Sequence, residues 1–321
     1  AAGRRWGSLS GYVRRRAPIS LQLSALLVRS TRNILRNPMG VRARFGQAVV
    51  MAAIISLIFK TLGSNQQSVQ GRVGCLFFLA MNFMSSSFGV LTVFSGERAV
   101  FEREYALGMY ETGVFFLTKI IAEFPPSIVF PLIQAAIIYW SVGFQPYASN
   151  FFIFSCVNVL IVNSGMALGL LIASVFPSLQ VTLILAPPLI LPLMLFSGFF
   201  INTNSIPPYF NWIKYISPIK YGFESYSATE FRGLKLHCDD SELQASPACP
   251  GGKPCICPIE NGEQILDSLG VGGTVVGYNL LYLVALWAGW TFLAYLRLRR
   301  NVALQAAQRS KITDVGIAQP L

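Results

Sequence analysis

The sequence predicts an all-α integral membrane protein with six transmembrane helices, and three observations carry that prediction. Only 12% of the 321 residues are charged while 53% are hydrophobic, about half the charge that a soluble domain carries. No Asp, Glu, Lys or Arg occurs from Phe124 to Ile213, a stretch that holds three to four crossings at roughly 20 residues each. The basic residues gather at the ends of apolar runs: ten arginines precede Phe45, and no acidic residue occurs before Glu97. A net charge of +11 in that arrangement fits positive-inside topology and anionic headgroups rather than nucleic acid.

Taken in order, the apolar runs are 45–62, 73–94, 120–144, 147–176, 179–201 and 274–296. Each is long enough to cross a hydrocarbon core of about 30 Å. Arginines before the first run, and Arg297, Arg299, Arg300, Arg309 and Lys311 after the last, place both termini in the cytoplasm, as an even number of spans requires. The chain then divides into a basic cytosolic segment (1–44), a six-helix membrane domain (45–296) with an exoplasmic loop (202–273), and a cytosolic tail (297–321).

Four of the six cysteines, Cys238, Cys249, Cys255 and Cys257, fall in that loop. A loop facing an oxidising compartment closes disulfides. A zinc site is the rival reading, but one residue between Cys255 and Cys257 departs from the paired CxxC spacing. The pairing is open, as is a bond to a partner chain.

Before the first span, 20–36 reads as an amphipathic helix, with Leu23, Leu26, Leu27 and Ile34 on one face and Arg29, Arg32 and Arg36 on another, stopped by Pro38. It suits a membrane-surface anchor or a mechanical link to a cytosolic partner. The loop 95–119 places Glu97, Phe101, Glu104 and Tyr105 at helical spacing, and Arg98 with Glu102 forms an i,i+4 pair of about 0.3 kcal/mol. It reads either as a solvated connection or as an element that docks in a partner's cleft. Pro125, Pro126 and Pro131 interrupt the third span and Pro187, Pro188 and Pro192 the fifth, so both are expected to kink or break. The stretch 206–222 is too apolar and aromatic for an ordinary loop and reads as a re-entrant or interfacial helix.

Other chemistry is sparse. The sequence has no G-x-x-x-x-G-K-[ST] phosphate loop, so ATP is not expected to bind this chain. His237 beside Cys238 reads as a loop residue, and Glu123 with Lys119 at a span end suits snorkelling or pairing. No nucleophile–base pair or metal cluster is in view, so no catalytic, cofactor or metal site is expected.

Several runs together resemble one family: the 97–110 segment, 115–119 with Glu123-Phe124-Pro125, Ser197-Gly198-Phe199, 217–222, and Cys257 with 262–266. Over about 20–300 the chain is similar to the transmembrane domain of the G-type (White) half transporters of the ATP-binding-cassette superfamily. The resemblance implies a type-2 exporter fold in which 20–36 is the connecting helix and 97–110 the coupling helix, with Glu97, Arg98, Phe101, Glu104 and Tyr110 at matching positions. It implies a substrate cavity between the second and fifth spans of two protomers, lined here by Asn82, Phe83, Phe88, Leu191 and Met194. Asn82 falls where the multidrug member lines its cavity with an amide, and Phe199 and Phe200 where that member has a gating pair of leucines. The implied function is ATP-driven export of lipid, sterol or other hydrophobic substrates by alternating access, in a eukaryotic plasma membrane or endomembrane. Its implied partners are membrane lipids, a second half transporter (as homo- or heterodimer) and a nucleotide-binding domain with ATP and magnesium, encoded upstream or as a separate subunit. A non-transporting scaffold or receptor and a secondary transporter are the alternatives.

Overall fold

A computed structural model describes residues 17–36, 38–60, 62–63, 65–176, 178–201, 206–237 and 257–316, with the backbone alone at 38–40 and 305–316. The described residues are helical apart from short turns and one isolated bridge between Lys235 and Asn261. The first helix, α1 (Ile19–Arg36), ends where α2 (Pro38–Ile58) begins. Proline at a first helical position forfeits only an N–H that would lack an intrahelical partner, so Pro38 starts one helix as it stops the other. Next come α3 (Gln66–Ala80) and α4 (Asn82–Ala106), separated only by Met81, then α5 (Thr112–Val142), α6 (Ala148–Val175) and α7 (Leu179–Leu195). After a 3₁₀ turn at Pro208–Phe210, α8 (Asn211–Tyr215), α9 (Pro218–Phe231), α10 (Gly262–Ser268) and α11 (Val276–Gly316) complete the chain.

Five stretches are long and apolar enough to cross a bilayer: Val41–Ile58, Gln66–Ala106, Thr112–Val142, Ala148–Val175 and Val276–Leu304. The run at 179–201 differs from its expected length. Its helix has 17 residues, about 26 Å at 1.5 Å each, and the chain then turns at Gly198, whose φ of 96° suits a residue without a Cβ.

The helices gather around α6, which packs on α4, α5, α9 and α11. Two glycines of α6 let its backbone come close to that of α4. A Cβ built on Gly165 would lie 2.3 Å from the Phe83 carbonyl oxygen, and one on Gly169 would lie 2.5 Å from that of Ser87. The Ser87 hydroxyl donates to the Gly165 carbonyl at 2.8 Å. Small residues and a shared hydroxyl are how helices associate where lipid offers no hydrophobic drive.

The expected break in the third span does not occur: α5 runs unbroken through Pro125, Pro126 and Pro131. Pro131 has no N–H for the Ser127 carbonyl one turn back. The Asn163 amide of α6 donates to that carbonyl at 3.3 Å instead. A neighbouring helix thus satisfies the freed group, as an apolar surround demands.

The stretch read as re-entrant folds as α8 and α9. Pro218 opens α9 at its first position, the Ser217 hydroxyl accepts the Lys220 N–H at 3.3 Å, and every residue of α9 except Lys220 is buried. Its carboxylates are provided for: Glu224 pairs with Lys220 at 3.2 Å and accepts from Asn279 of α11 at 3.1 Å, while Glu230 pairs with Arg72 of α3.

Candidate coupling corner and membrane cavities

At one end of the bundle, opposite α9, the last turns of α4 and the first of α5 meet α1. The segment 97–110 is not a separate helix. It is the polar continuation of α4 through Ala106, closed by a turn at Gly108 with φ of 71° before α5 starts at Thr112. Arg29 of α1 grips Glu104 with both guanidinium nitrogens, at 2.8 and 3.0 Å. The Tyr110 hydroxyl donates to the same carboxylate at 2.6 Å. The paired charges favour the ionised forms. Glu104, beyond the apolar run that ends near Phe94, is held below the ordinary carboxylate range by the Arg29 hydrogen bond, with Tyr110 adding to it against the effect of burial. Burial and then the Glu104 hydrogen bond push the Tyr110 phenol up.

Aromatic packing fixes this corner from behind. Phe101 is fully buried, stacked on Phe115 at 4.3 Å between ring centroids and on Tyr110 at 6.1 Å. The Glu111 N–H donates to the Gln22 side chain of α1 at 3.1 Å. Arg98, buried, pairs with Glu102 at 2.7 Å and also donates to the Ala173 and Phe176 carbonyls at 3.2 and 2.9 Å. Those carbonyls lie at the C-terminus of α6, where helical partners run out. Arg98 therefore ties the continuation of α4 to the central helix. Glu97 pairs with Lys119 at 2.6 Å, Lys119 reaches Glu123 at 3.1 Å, and Glu123 also pairs with Arg44 of α2 at 2.5 Å. A cleft of about 620 Å³ lies between α1 and this corner, lined among others by Arg29, Arg32, Glu97, Phe101, Glu104 and Tyr110.

A pH dependence follows for the corner. The Glu104 carboxyl is lowered on folding, so its contribution is present above the unfolded value of about 4.3 and is lost as pH falls through its lower folded value. Amide exchange of α1 is expected to rise over that acid range in the wild type, and to be fast already at neutral pH in Glu104→Gln.

All five coupling residues expected from sequence thus lie at one corner. The partners that sequence reasoning did not assign are Gln22 and Arg29 from α1 and Arg44 from α2. Periodicity put Arg29 with Arg32 and Arg36 on the polar face of an amphipathic helix, and no local signal joins it to a carboxylate 75 positions away.

The expected cavity residues are placed differently from one another. Asn82 is buried and accepts from the Gln134 amide of α5 at 3.1 Å. Phe83 is fully buried, its ring 6.1 Å from that of Trp290 of α11. Phe88 is half-buried against the core, as is Met194, while Leu191 lies on the exposed face of α7. Phe199 stacks on Phe77 at 4.2 Å, and the exposed Phe200 meets the same ring edge-on at 5.1 Å. Of the cysteines in the loop, Cys238, Cys249 and Cys255 lie outside the described residues. Cys257 is held near α3, where the Gln66 amide approaches its sulfur at 3.3 Å.

Two smaller cavities sit inside the bundle. One of about 120 Å³ is bounded by α2, α4, α5 and α6 and lined by Asn82 and Gln134 among others. The other, of about 60 Å³, adjoins Lys119, Glu123 and Trp287.

Comparison with known proteins agrees with this architecture. Residues 21–231 match the family described as ABC-2 type transporter. Among curated relatives, the chain is 32% identical to Protein white of Ceratitis capitata over 284 residues, 87% of this chain and 40% of that protein. It is 31% identical to ABC transporter G family member 1 of Dictyostelium discoideum, covering 90% of this chain and 36% of that one. To the ABC transporter ATP-binding protein/permease wht-1 of Caenorhabditis elegans it is 30% identical, over 86% and 41% respectively. The chain therefore spans about 40% of the length of these relatives. Its multi-pass helical bundle, the family match over 21–231 and the White and G-family relatives lead to one conclusion: the chain belongs to the ABC-2 type transporters and is a transmembrane domain of their G-type (White) branch.

Proposed function

We propose that this chain is the membrane-spanning part of an ATP-driven exporter that moves lipid, sterol or other hydrophobic substrates by alternating access. The observation that carries the proposal is the corner at Glu104. A helix-borne carboxylate is gripped by Arg29 and Tyr110 beside an open cleft. A rigid corner next to a cleft is what a separate ATP-binding unit needs in order to push on a bundle. The name of the Caenorhabditis elegans relative, an ATP-binding protein/permease, supports such a unit, which would hold ATP and magnesium outside this chain.

In this reading the corner faces the cytoplasm, both termini lie there, and α7 is a sixth, short span. Two protomers enclose the substrate path along α4 and α7. The Phe77–Phe199–Phe200 cluster forms its exit, and the loop beyond α9 faces the outside. A disulfide through Cys257, which does not stand as a free thiol, closes that loop. ATP-driven closure of the partner units would move the α1–Glu104 corner, and Arg98 would pass that movement to α6.

The test is Glu104→Ala in the complete transporter, assayed as ATP-dependent uptake of a fluorescent lipid by inside-out vesicles. Uptake is expected to fall at least tenfold with the protein still in the membrane. The exchanged pair Arg29→Glu with Glu104→Arg should recover part of it. Unchanged uptake by a well-expressed Glu104→Ala variant would remove the corner from the coupling path.

A further inference from the structure

The last helix joins the two ends of the bundle. α11 passes from Val276 to Gly316 without a proline, so its backbone ladder is unbroken and it moves as one stiff element. At the corner end, the Asn301 amide donates to the Ser174 carbonyl of α6 at 2.7 Å. Leu298 and Val302 lie buried on either side of it. Arg98 holds the nearby Ala173 and Phe176 carbonyls. The last carbonyls of a helix have no helical partners, and those of α6 are gripped from two sides, by the continuation of α4 and by α11. Further along, the Ser164 hydroxyl of α6 donates to the Leu283 carbonyl at 3.3 Å, which keeps the two helices in register.

At the other end, about 33 Å away along the helix, Asn279 is buried and donates to the Glu224 carboxylate at 3.1 Å. The Tyr282 ring stacks on that of Tyr221 at 5.0 Å. Both partners belong to the first turns of α9. Between them Phe223 is fully buried, its ring 5.9 Å from Phe199 and 6.4 Å from Phe77. α6 also hydrogen-bonds α9, but later in that helix, at Tyr226 and Thr229. Among the described residues, the hydrogen bond from a long helix to the turn that carries Phe223 is the one from α11.

We propose that α11 is the rod by which movement of the Glu104 corner reaches the Phe77–Phe199 exit, with Asn301 and Asn279 as the positioning residues at its two ends. The inference rests on the exporter reading for what the exit does, while the rod itself is a property of the fold.

The test uses the complete protein in reconstituted vesicles, with ATP hydrolysis, ATP-dependent uptake of a fluorescent lipid and amide exchange read on one preparation. Asn301→Leu and Asn279→Leu are each expected to keep hydrolysis within about twofold of wild type and to lower uptake about fivefold, the equivalent of one hydrogen bond. Lipid moved per ATP therefore falls. The two substitutions together should lower it no further than one alone, because a rod released at either end transmits nothing. Asn301→Gln, which keeps a donor, should recover most of the uptake. Asn301→Leu should also raise amide exchange at residues 222–226 of α9 by about threefold, at the far end of α11 from the substitution. Exchange raised in the last turn of α6 alone would overturn the inference and leave Asn301 a local cap. Hydrolysis and uptake falling together, or losses that multiply to about 25-fold in the double variant, would overturn it as well. Wild-type protein that hydrolyses ATP without moving lipid would fail the exporter reading instead, and exchange at 222–226 would then decide on the rod.

Discussion

Arg72→Met is expected to destabilise the purified protein by about 3–5 kcal/mol, the usual cost of breaking a buried ion pair from one side. Arg72 of α3 and Glu230 of α9 each retain 5% side-chain exposure. Arg72 also donates to the Leu62 and Gly63 carbonyls at 2.9 and 3.2 Å, and Glu230 accepts the Gln145 backbone N–H at 3.2 Å. The pair thus binds together α3, the turn after α5 and the end of α9. Removing the arginine strands a carboxylate where water does not reach it, and Glu230→Leu strands the guanidinium in the same way. The double variant Arg72→Met with Glu230→Leu removes both desolvation costs at once. It should recover most of the loss, leaving a coupling of several kcal/mol in a double-mutant cycle. Thermal unfolding in detergent measures all four members. Single variants within 1 kcal/mol of wild type would mean that water reaches the pair.

Gly165→Ala is the second large effect, through sterics rather than charge. Its new Cβ would stand 2.3 Å from a backbone oxygen of α4, and a backbone atom cannot swing aside as a side-chain tip can. The helices must separate, at about 1–3 kcal/mol for overpacking, and the Ser87 to Gly165 hydrogen bond goes with them. Gly89→Ala is the internal control. Gly89 belongs to α4 as well, but an added Cβ there meets nothing within 4 Å, so stability should stay within about 0.5 kcal/mol. Equal behaviour of the two variants would show that the α4–α6 contact is looser than described.

The same contrast, local pattern against distant contact, decides what was legible in the sequence. The amphipathic helix expected at 20–36 is α1 at Ile19–Arg36, because its periodicity and its proline stop are local facts. The last span illustrates a limit. Hydropathy ends near residue 296, but the helix continues to Gly316, since lipid preference and the backbone ladder are separate properties. The prolines of α5 were read as a kink or a break, and the unbroken helix was not legible because the rescue of Ser127 comes from Asn163, 36 residues on. At the corner, Arg98 with Glu102 was legible as an i,i+4 pair, while the Arg98 contacts to the end of α6 were not. Asn82 was reached through the family resemblance alone, and its orientation toward Gln134 depends on tertiary packing.

The central position of α6 bears on how the protein is made. It is the most enclosed of the long apolar helices, with 67% of its most apolar stretch buried against 11–44% for the others. Yet it is synthesised after α2, α4 and α5, all of which reach the bilayer first if helices enter in order of synthesis. Until Asn163 arrives, the Ser127 carbonyl has no amide to answer it, and the face of α4 that will meet Gly165 has no neighbour. During this interval the early helices carry a polar group and a contact face that only α6 completes. A nascent chain halted before residue 148 accordingly lacks the helix against which these groups pack, and one released after residue 175 has it.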